Sequence, residues 1–327
     1  MRAINCPGLK VTSIEKYINT DSVHGNRTHK VTVVDDSHII IAGRTIAVLN
    51  SRSAKDLAWR ANGVSILFEC SGAYDTMPKL QEHDVDYIVV SAPPKDIGAT
   101  PMFVYGVNDR AYAGESIISV ASCTTNCIAP FLAAADAIAG GVKDASFITV
   151  HAATASQSIV DRADDKARTT RSIFNNIIPH TTGASKTIDV LMPHLKGKVK
   201  GTSIRVPVSN VSMVDLNLRF NEPISVPAFL GAIRDAKYKD VIALNKDNAV
   251  SMDFCGTPEP CVLDATAITQ LTDDSIKFCL WYDNEWSFCA QMIHMARTMA
   301  EVNTPRRVRS IRDVSFKNQS VGVPRAP

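Results

Sequence analysis

The sequence is short of the features that would assign it to a special environment. Its 327 residues carry 35 lysines and arginines against 33 acids. No surplus of one sign draws the chain to nucleic acid or to a membrane surface. No run of about 18 apolar residues occurs, which excludes a spanning helix of ordinary length. The first twenty residues lack a continuous apolar core, so no secretory leader is visible. The eight cysteines show no C-x-x-C pair, which argues against a zinc cluster and a disulfide framework. Reduced thiols in an intracellular compartment fit that usage. The cytoplasm is expected, or an organelle if a targeting segment precedes Met1. There are no repeats or low-complexity tracts. The remaining composition, 45% hydrophobic and 21% charged, is that of an ordinary globular protein with length for two cores.

What is present centres on Ser122-Cys123-Thr124-Thr125-Asn126-Cys127. The apolar Ile117–Ala121 before it reads as a short buried strand, and Ile128–Ala135 after it as a helix. Cys123 therefore falls where a strand hands over to a helix N-terminus. Unpaired N–H groups and the helix dipole favour a thiolate there and an oxyanion beside it. The plainer reading is a small buried hydrophobe. Cys123 and Cys127 share a helix face but lack a partner pair, so no metal is expected. A second apolar, β-branched segment, Phe147–Ala155, reads as a central strand and contains His151. A neutral imidazole beside a thiol can take its proton; a structural histidine is the alternative.

Together these two segments resemble glyceraldehyde-3-phosphate dehydrogenase. Ser91-Ala92-Pro93, Asn176–Pro179, Thr181–Ala184, Arg205-Val206-Pro207, Val211–Leu216 and Trp281–Glu285 follow in that family's order. The resemblance runs from about Ile4 to about Ala300. It implies a nicotinamide (NAD) cofactor and a phosphorylated aldehyde oxidised to an acyl phosphate in glycolytic chemistry. Cys123 is implied as the nucleophile that forms a thioester, and His151 as its base. Thr154 and Arg205 match the substrate-phosphate residues. Ser122, Thr124, Arg171, Thr182 and Gly183 match those around the attacking phosphate. Arginine suits this because its fork binds phosphate oxygens in pairs. Asn284 matches the residue that holds the nicotinamide amide. Phe288 takes the place of a tyrosine beside that ring, and Ser71-Gly72 lines the cofactor cleft.

The same comparison marks departures. No G-x-G-x-x-G turn occurs, and Met1–Asn5 resembles the family's second strand rather than its first. Without the first strand, the middle of the parallel sheet would be open. Cys6 stands where an acid should grip the adenosine ribose; a thiol is too weak a donor for that work. The loop from Ile159 to Phe174 is charged and glycine-free.

The expected fold is α/β. Residues 1–122 form an incomplete NAD-binding domain with a truncated Rossmann-type parallel sheet. Within it, a hairpin-like stretch spans Val31–Asn50, strands run over Ile66–Glu69, Tyr87–Ser91 and Met102–Val107, and a helix over Asp75–His83. Residues 123–282 form an α+β catalytic domain with a largely antiparallel sheet, including strands Ser203–Val208 and Val211–Arg219. A helix over Asn284–Glu301 (domain span 283–302) presents Trp286, Cys289, Met292, Ile293 and Ala296 on one face. By resemblance it returns to the first domain. Residues 303–327 make a basic tail with six cations and one acid. Three readings stay open: a phosphorylating dehydrogenase, a repurposed structural subunit docking through that tail in a homo-oligomer or larger assembly, and a redox-responsive thiol at Cys123. Nucleic acid is not an expected partner.

Overall fold

The structure is a computed structural model and describes residues 1–25, 29–165, 168–234, 238 and 240–303. Strand β1 (Ala3–Asn5) is followed by helix α1 (Val11–Asn19) and the strands β2 (Val31–Asp35), β3 (His38–Ile41) and β4 (Arg44–Leu49). These strands form one sheet in the order β1-β4-β3-β2, with β1 parallel to β4 and the rest antiparallel. The stretch read as hairpin-like is thus a three-strand meander. Its second turn is Ala42-Gly43, at φ 50° and 72°; this left-handed pair suits a two-residue hairpin. Val11 and Ile14 of α1 sit three residues apart and cover Val31, Ile39, Ile46 and Val48.

A second sheet holds β5 (Ile66–Glu69), β6 (Tyr87–Val90) and β7 (Ile117–Ser119), all parallel. A one-turn helix α2 (Met77–Leu80) lies between β5 and β6. The helix expected over Asp75–His83 stops there. Beyond it, the buried His83 ring accepts a bond from Trp59 Nε1 at 3.2 Å, which rolls the chain into a turn. No strand forms over Met102–Val107 beyond a single bridge from Met102 to Ser119. The Asn108 carboxamide claims that backbone instead, accepting from Val104 N at 2.8 Å and donating to Met102 O at 2.9 Å. β1 and β5 each end their sheet and do not pair. Ala3 and Leu49 bridge the two by packing against Leu67, Leu80 and Ile88. Phe68 on β5 is left 40% exposed, although parallel sheets are ordinarily covered on both faces.

Helix α3 (Cys123–Ala135) leads into the largest sheet: β8 (Val142–His151), β9 (Ile178–His180), β10 (Val199–Arg205), β11 (Ser212–Phe220), β12 (Ile242–Asn245), β13 (Cys261–Asp264), β14 (Thr269–Thr272) and β15 (Ser275–Tyr282). Helices α4 (Ala184–Leu191) and α5 (Val226–Arg234) are interspersed. The order is β12-β13-β15-β11-β8-β10-β9, with β14 on β15. β8 runs parallel to β10 and antiparallel to β11. Strand alternation decides which side chains meet. On β8 it turns Ala145, Phe147, Thr149 and His151 toward the helices and leaves Lys143, Ser146 and Ile148 outside. The main core lies on that inner face, where Phe131, Phe220, Phe229 and Phe278 meet in tilted and edge-on ring contacts.

Gly201 on β10 is opposite Phe147 on β8. A Cβ at Gly201 would stand 2.1 Å from Phe147 Cζ. Gly201→Ala is therefore expected to cost about 1–3 kcal/mol by overpacking. A lowered urea midpoint at unchanged slope is the result to look for; an unchanged midpoint would contradict it.

The last helix, α6 (Trp286–Asn303), packs on the second sheet. Met292, Met295, Ala296 and Met299 close over Val89, Phe103, Ile118 and Val120. Its buried stripe differs from the expected one. Trp286 and Ile293 are 46% and 48% exposed and Cys289 is exposed, while Ser287, Gln291, Met295 and Met299 are buried. The helix start fixes that rotation: Asp283 Oδ1 accepts from the N–H groups of Glu285 and Trp286, both at 2.9 Å. At its far end Asn303 Nδ2 donates to the Tyr112 hydroxyl at 2.7 Å. Residues 304–327, the rest of the basic tail, lie outside the described residues. No helix among the described residues is long and apolar enough to cross a membrane.

Candidate active site

Cys123 is the first residue of α3, with Ser122 as its N-cap. Ser122 Oγ accepts from Thr125 N at 3.2 Å, so the cap that shapes the helix start also fixes the sulfur. The preceding residue is strained. Ala121 is fully buried and holds φ 60°, a region L-residues rarely adopt. Its N–H donates to Ser119 Oγ at 3.0 Å, and that hydroxyl donates to Ala92 O at 2.7 Å. The sharp turn thus aims Cys123 out of the strand end and ties it to the Ser91-Ala92 loop. The loops after β5, β6 and β7 all leave the carboxyl ends of parallel strands, the edge where such sheets take ligands.

The large sheet supplies the facing groups. Arg205 and His151 are register partners on parallel strands, so both side chains leave the sheet on the same face. His151 Nε2 lies 3.4 Å from Cys123 Sγ. On the other side of the ring, Nδ1 is 2.8 Å from Ala152 O and 2.5 Å from Arg205 Nη1. Arg205 Nη1 also donates to Ala152 O at 3.1 Å. Arg205 Nη1 can only donate, so Nδ1 cannot bond both neighbours at once; in the tautomer with Nδ1–H donating to Ala152 O, the Nε2 lone pair faces the thiol. Below the ring, the buried Tyr282 hydroxyl joins Thr124 Oγ1 at 2.9 Å and Thr149 Oγ1 at 2.8 Å, with its ring edge-on to His151.

Electrostatics set the resting protonation. Burial and then the Arg205 charge push His151 down to about 4, so the imidazole is neutral at pH 7. Burial pushes the Cys123 thiol up, against the pull of Thr124 and the Arg205 charge. The thiolate expected from the helix dipole alone is thus not the resting form, because desolvation outweighs the N–H dipoles. The pair rests as thiol and imidazole, a donor facing an acceptor.

The other residues singled out in the sequence take these places. Thr154, on the loop after β8, has its hydroxyl on Gln157 Oε1 at 2.9 Å. Thr182 Oγ1 accepts from Ala184 N at 3.2 Å, and Gly183 is the N-cap of α4. Arg171 is taken up by Asp161, at 2.9 Å, within its own loop. Ser71 caps the end of β5, its N–H donating to Glu69 Oε1 at 2.7 Å, with Gly72 beside it at φ 72°. Phe288 is half-buried against the second-sheet core. Asn284 is reached by a short relay: Ala152 N donates to Ser212 Oγ at 3.0 Å, and Ser212 Oγ donates to Asn284 Oδ1 at 2.8 Å. Sequence reasoning gave no role to Ser212, Tyr282 or Thr149. Alternation on β8 places Thr149 on the face of His151, which was the available signal.

Comparison with known proteins decides the family. The profile described as glyceraldehyde 3-phosphate dehydrogenase, C-terminal domain, matches residues 122–284, and that of the NAD binding domain matches residues 1–77. Glyceraldehyde-3-phosphate dehydrogenase of Phytophthora infestans is 37% identical over 307 residues, 91% of each chain. The chain belongs to the glyceraldehyde-3-phosphate dehydrogenase family. The Haemophilus influenzae enzyme is 41% identical over 287 residues, 84% of each chain. Cytosolic and chloroplastic relatives also match: a cytosolic one from Ginkgo biloba at 36% and a chloroplastic one from Arabidopsis thaliana at 36%.

NAD is the cofactor of glyceraldehyde-3-phosphate dehydrogenases. Its nicotinamide end fits the residues present: a carboxamide at Asn284 held by the buried Ser212 hydroxyl, which also accepts from Ala152 N next to His151. At the adenosine end the fit is poorer. Asn5 is bound to Ser51 at 2.9 and 3.1 Å, and the half-buried Cys6 thiol offers no carboxylate. Burial raises its pKa, so it stays neutral. Ser212→Ala removes the relay to Asn284. The loss of about 1 kcal/mol should raise the KM for NAD roughly fivefold at nearly constant kcat. A fall in kcat alone would contradict a positioning role for Ser212.

Proposed function

We propose that this chain oxidises glyceraldehyde 3-phosphate to an acyl phosphate through a thioester on Cys123. The 3.4 Å approach of Sγ to the neutral His151, with Arg205 on the far side of the ring, carries that reading. Sγ bonds to the aldehyde carbon, and the thiol proton passes through His151 Nε2 to the carbonyl oxygen. His151 then takes that proton back as the carbon loses hydride and becomes a thioester. NAD supplies the hydride acceptor when bound. Phosphate attacks the thioester carbon, the C–S bond breaks, and the departing sulfur recovers its proton from His151.

Thr154 and Arg205 hold the substrate phosphate. Ser122, Thr124, Thr182 and Gly183 surround the attacking one, with Arg171 joining once it leaves Asp161. Arg205 has a further effect. Burial first, and then its charge, hold His151 in the neutral form, and an anion on the guanidinium offsets that charge. Substrate binding thereby strengthens the base when it is needed.

The purified chain should reduce NAD only when both aldehyde and phosphate are present. A second reading, a structural subunit of a homo-oligomer or larger assembly, is favoured by the unpaired β1 and β5 edges. Absent turnover together with absent NAD binding in calorimetry would overturn the first reading and leave the second.

A further inference from the structure

We propose that His24, Cys255 and Asp283 form a binding site for a thiophilic divalent cation of the zinc class. One ring nitrogen, the sulfur and one carboxylate oxygen of these residues lie within 4.8 Å of one another. They come from three distant parts of the chain: the segment before β2, the loop before β13 and the end of β15.

The donor set is nitrogen, sulfur and oxygen, which suits zinc and its neighbours rather than calcium or magnesium. Three protein ligands leave a fourth, open position. Bonds of about 2.0–2.3 Å in tetrahedral geometry require ligand atoms roughly 3.3–3.8 Å apart. His24 Nδ1 and Cys255 Sγ are 3.8 Å apart already. Asp283 needs only a small approach.

Orientation of the histidine is a second observation. Its other nitrogen, Nε2, donates to Glu285 Oε2 at 3.0 Å, which leaves the Nδ1 lone pair toward Cys255. A carboxylate on the far nitrogen is the usual support of a metal-bound imidazole. The Trp286 ring lies 5.4 Å from the His24 ring, whose side chain is only 11% exposed.

Charge is the third. Asp283 is fully buried. Its carboxylate accepts from the N–H groups of Gly256, Glu285 and Trp286. No lysine or arginine pairs with it among the described residues. A carboxylate oxygen with one bond keeps a second lone pair for a cation. A cation seated between Asp283 and Cys255 displaces the thiol proton. Binding forms the metal–sulfur bond and releases one proton to solvent, with no change of oxidation state.

Cobalt(II) titration of the full chain carrying Cys123→Ser tests this, because that substitution removes the other thiol that already faces a histidine nitrogen. One equivalent per chain should develop thiolate-to-cobalt charge-transfer absorption. Cys255→Ser in the same background should abolish it. Glu285→Gln should weaken binding about 10- to 100-fold. Circular dichroism identifies folded variants, and Cys255→Ala replaces any Cys255→Ser protein that fails. Absorption that survives loss of Cys255, or never appears in the folded parent, overturns the site.

Discussion

Cys123→Ser is expected to lower aldehyde-dependent NAD reduction by on the order of 10⁴-fold or more while leaving the fold unchanged. The serine hydroxyl fits the same N1 position of α3 and keeps the Ser122 cap. It is, however, a harder and far less acidic nucleophile. A neutral His151 held down to about 4 is too weak a base to activate it. Steady-state assays against the parent check this. A variant retaining more than about a hundredth of the parental rate would assign the chemistry to another residue. Far-UV circular dichroism and an unchanged melting temperature separate lost chemistry from lost structure.

His151→Asn is expected to reduce kcat by about 10²- to 10⁴-fold, the usual worth of a positioned general base. Asparagine keeps a polar atom near Ala152 O but offers no basic nitrogen to the sulfur. The pH dependence has a definite sign. The folded-state value of His151 lies below its ordinary 6.5. Between about pH 6.5 and 4 the unfolded chain therefore binds a proton that the folded chain refuses. Stability should fall as pH drops through that window, and His151→Asn should flatten the fall. Inorganic phosphate should raise the His151 titration midpoint by offsetting Arg205, which an imidazole NMR titration reads directly. A midpoint near 6.5 with or without phosphate would show that Arg205 and burial do not govern this base.

Much of the site was legible in the sequence because it depends on local rules. A short strand followed by a helix put Cys123 at a helix start, and an apolar β-branched run put His151 on a central strand. The pairing of His151 with Arg205 was not legible, since register between β8 and β10 is set by long-range packing. The protonation state was misjudged for the same reason: helix dipoles are local, whereas burial depends on how the whole chain packs around the pair. Segments braced by single side chains also went unread. Asn108 turned an expected strand into a loop, and Asp283 rotated α6 so that methionines replaced Trp286 and Ile293 on the buried face.

The most direct measurement is peptide mapping by mass spectrometry after the chain is mixed with glyceraldehyde 3-phosphate and NAD in the absence of inorganic phosphate. Thioester formation then has no acceptor but water, so the acyl group should accumulate on Cys123 and leave when phosphate is added. An acyl group on any other cysteine, or an unmodified Cys123 in a chain that still reduces NAD, would contradict the account.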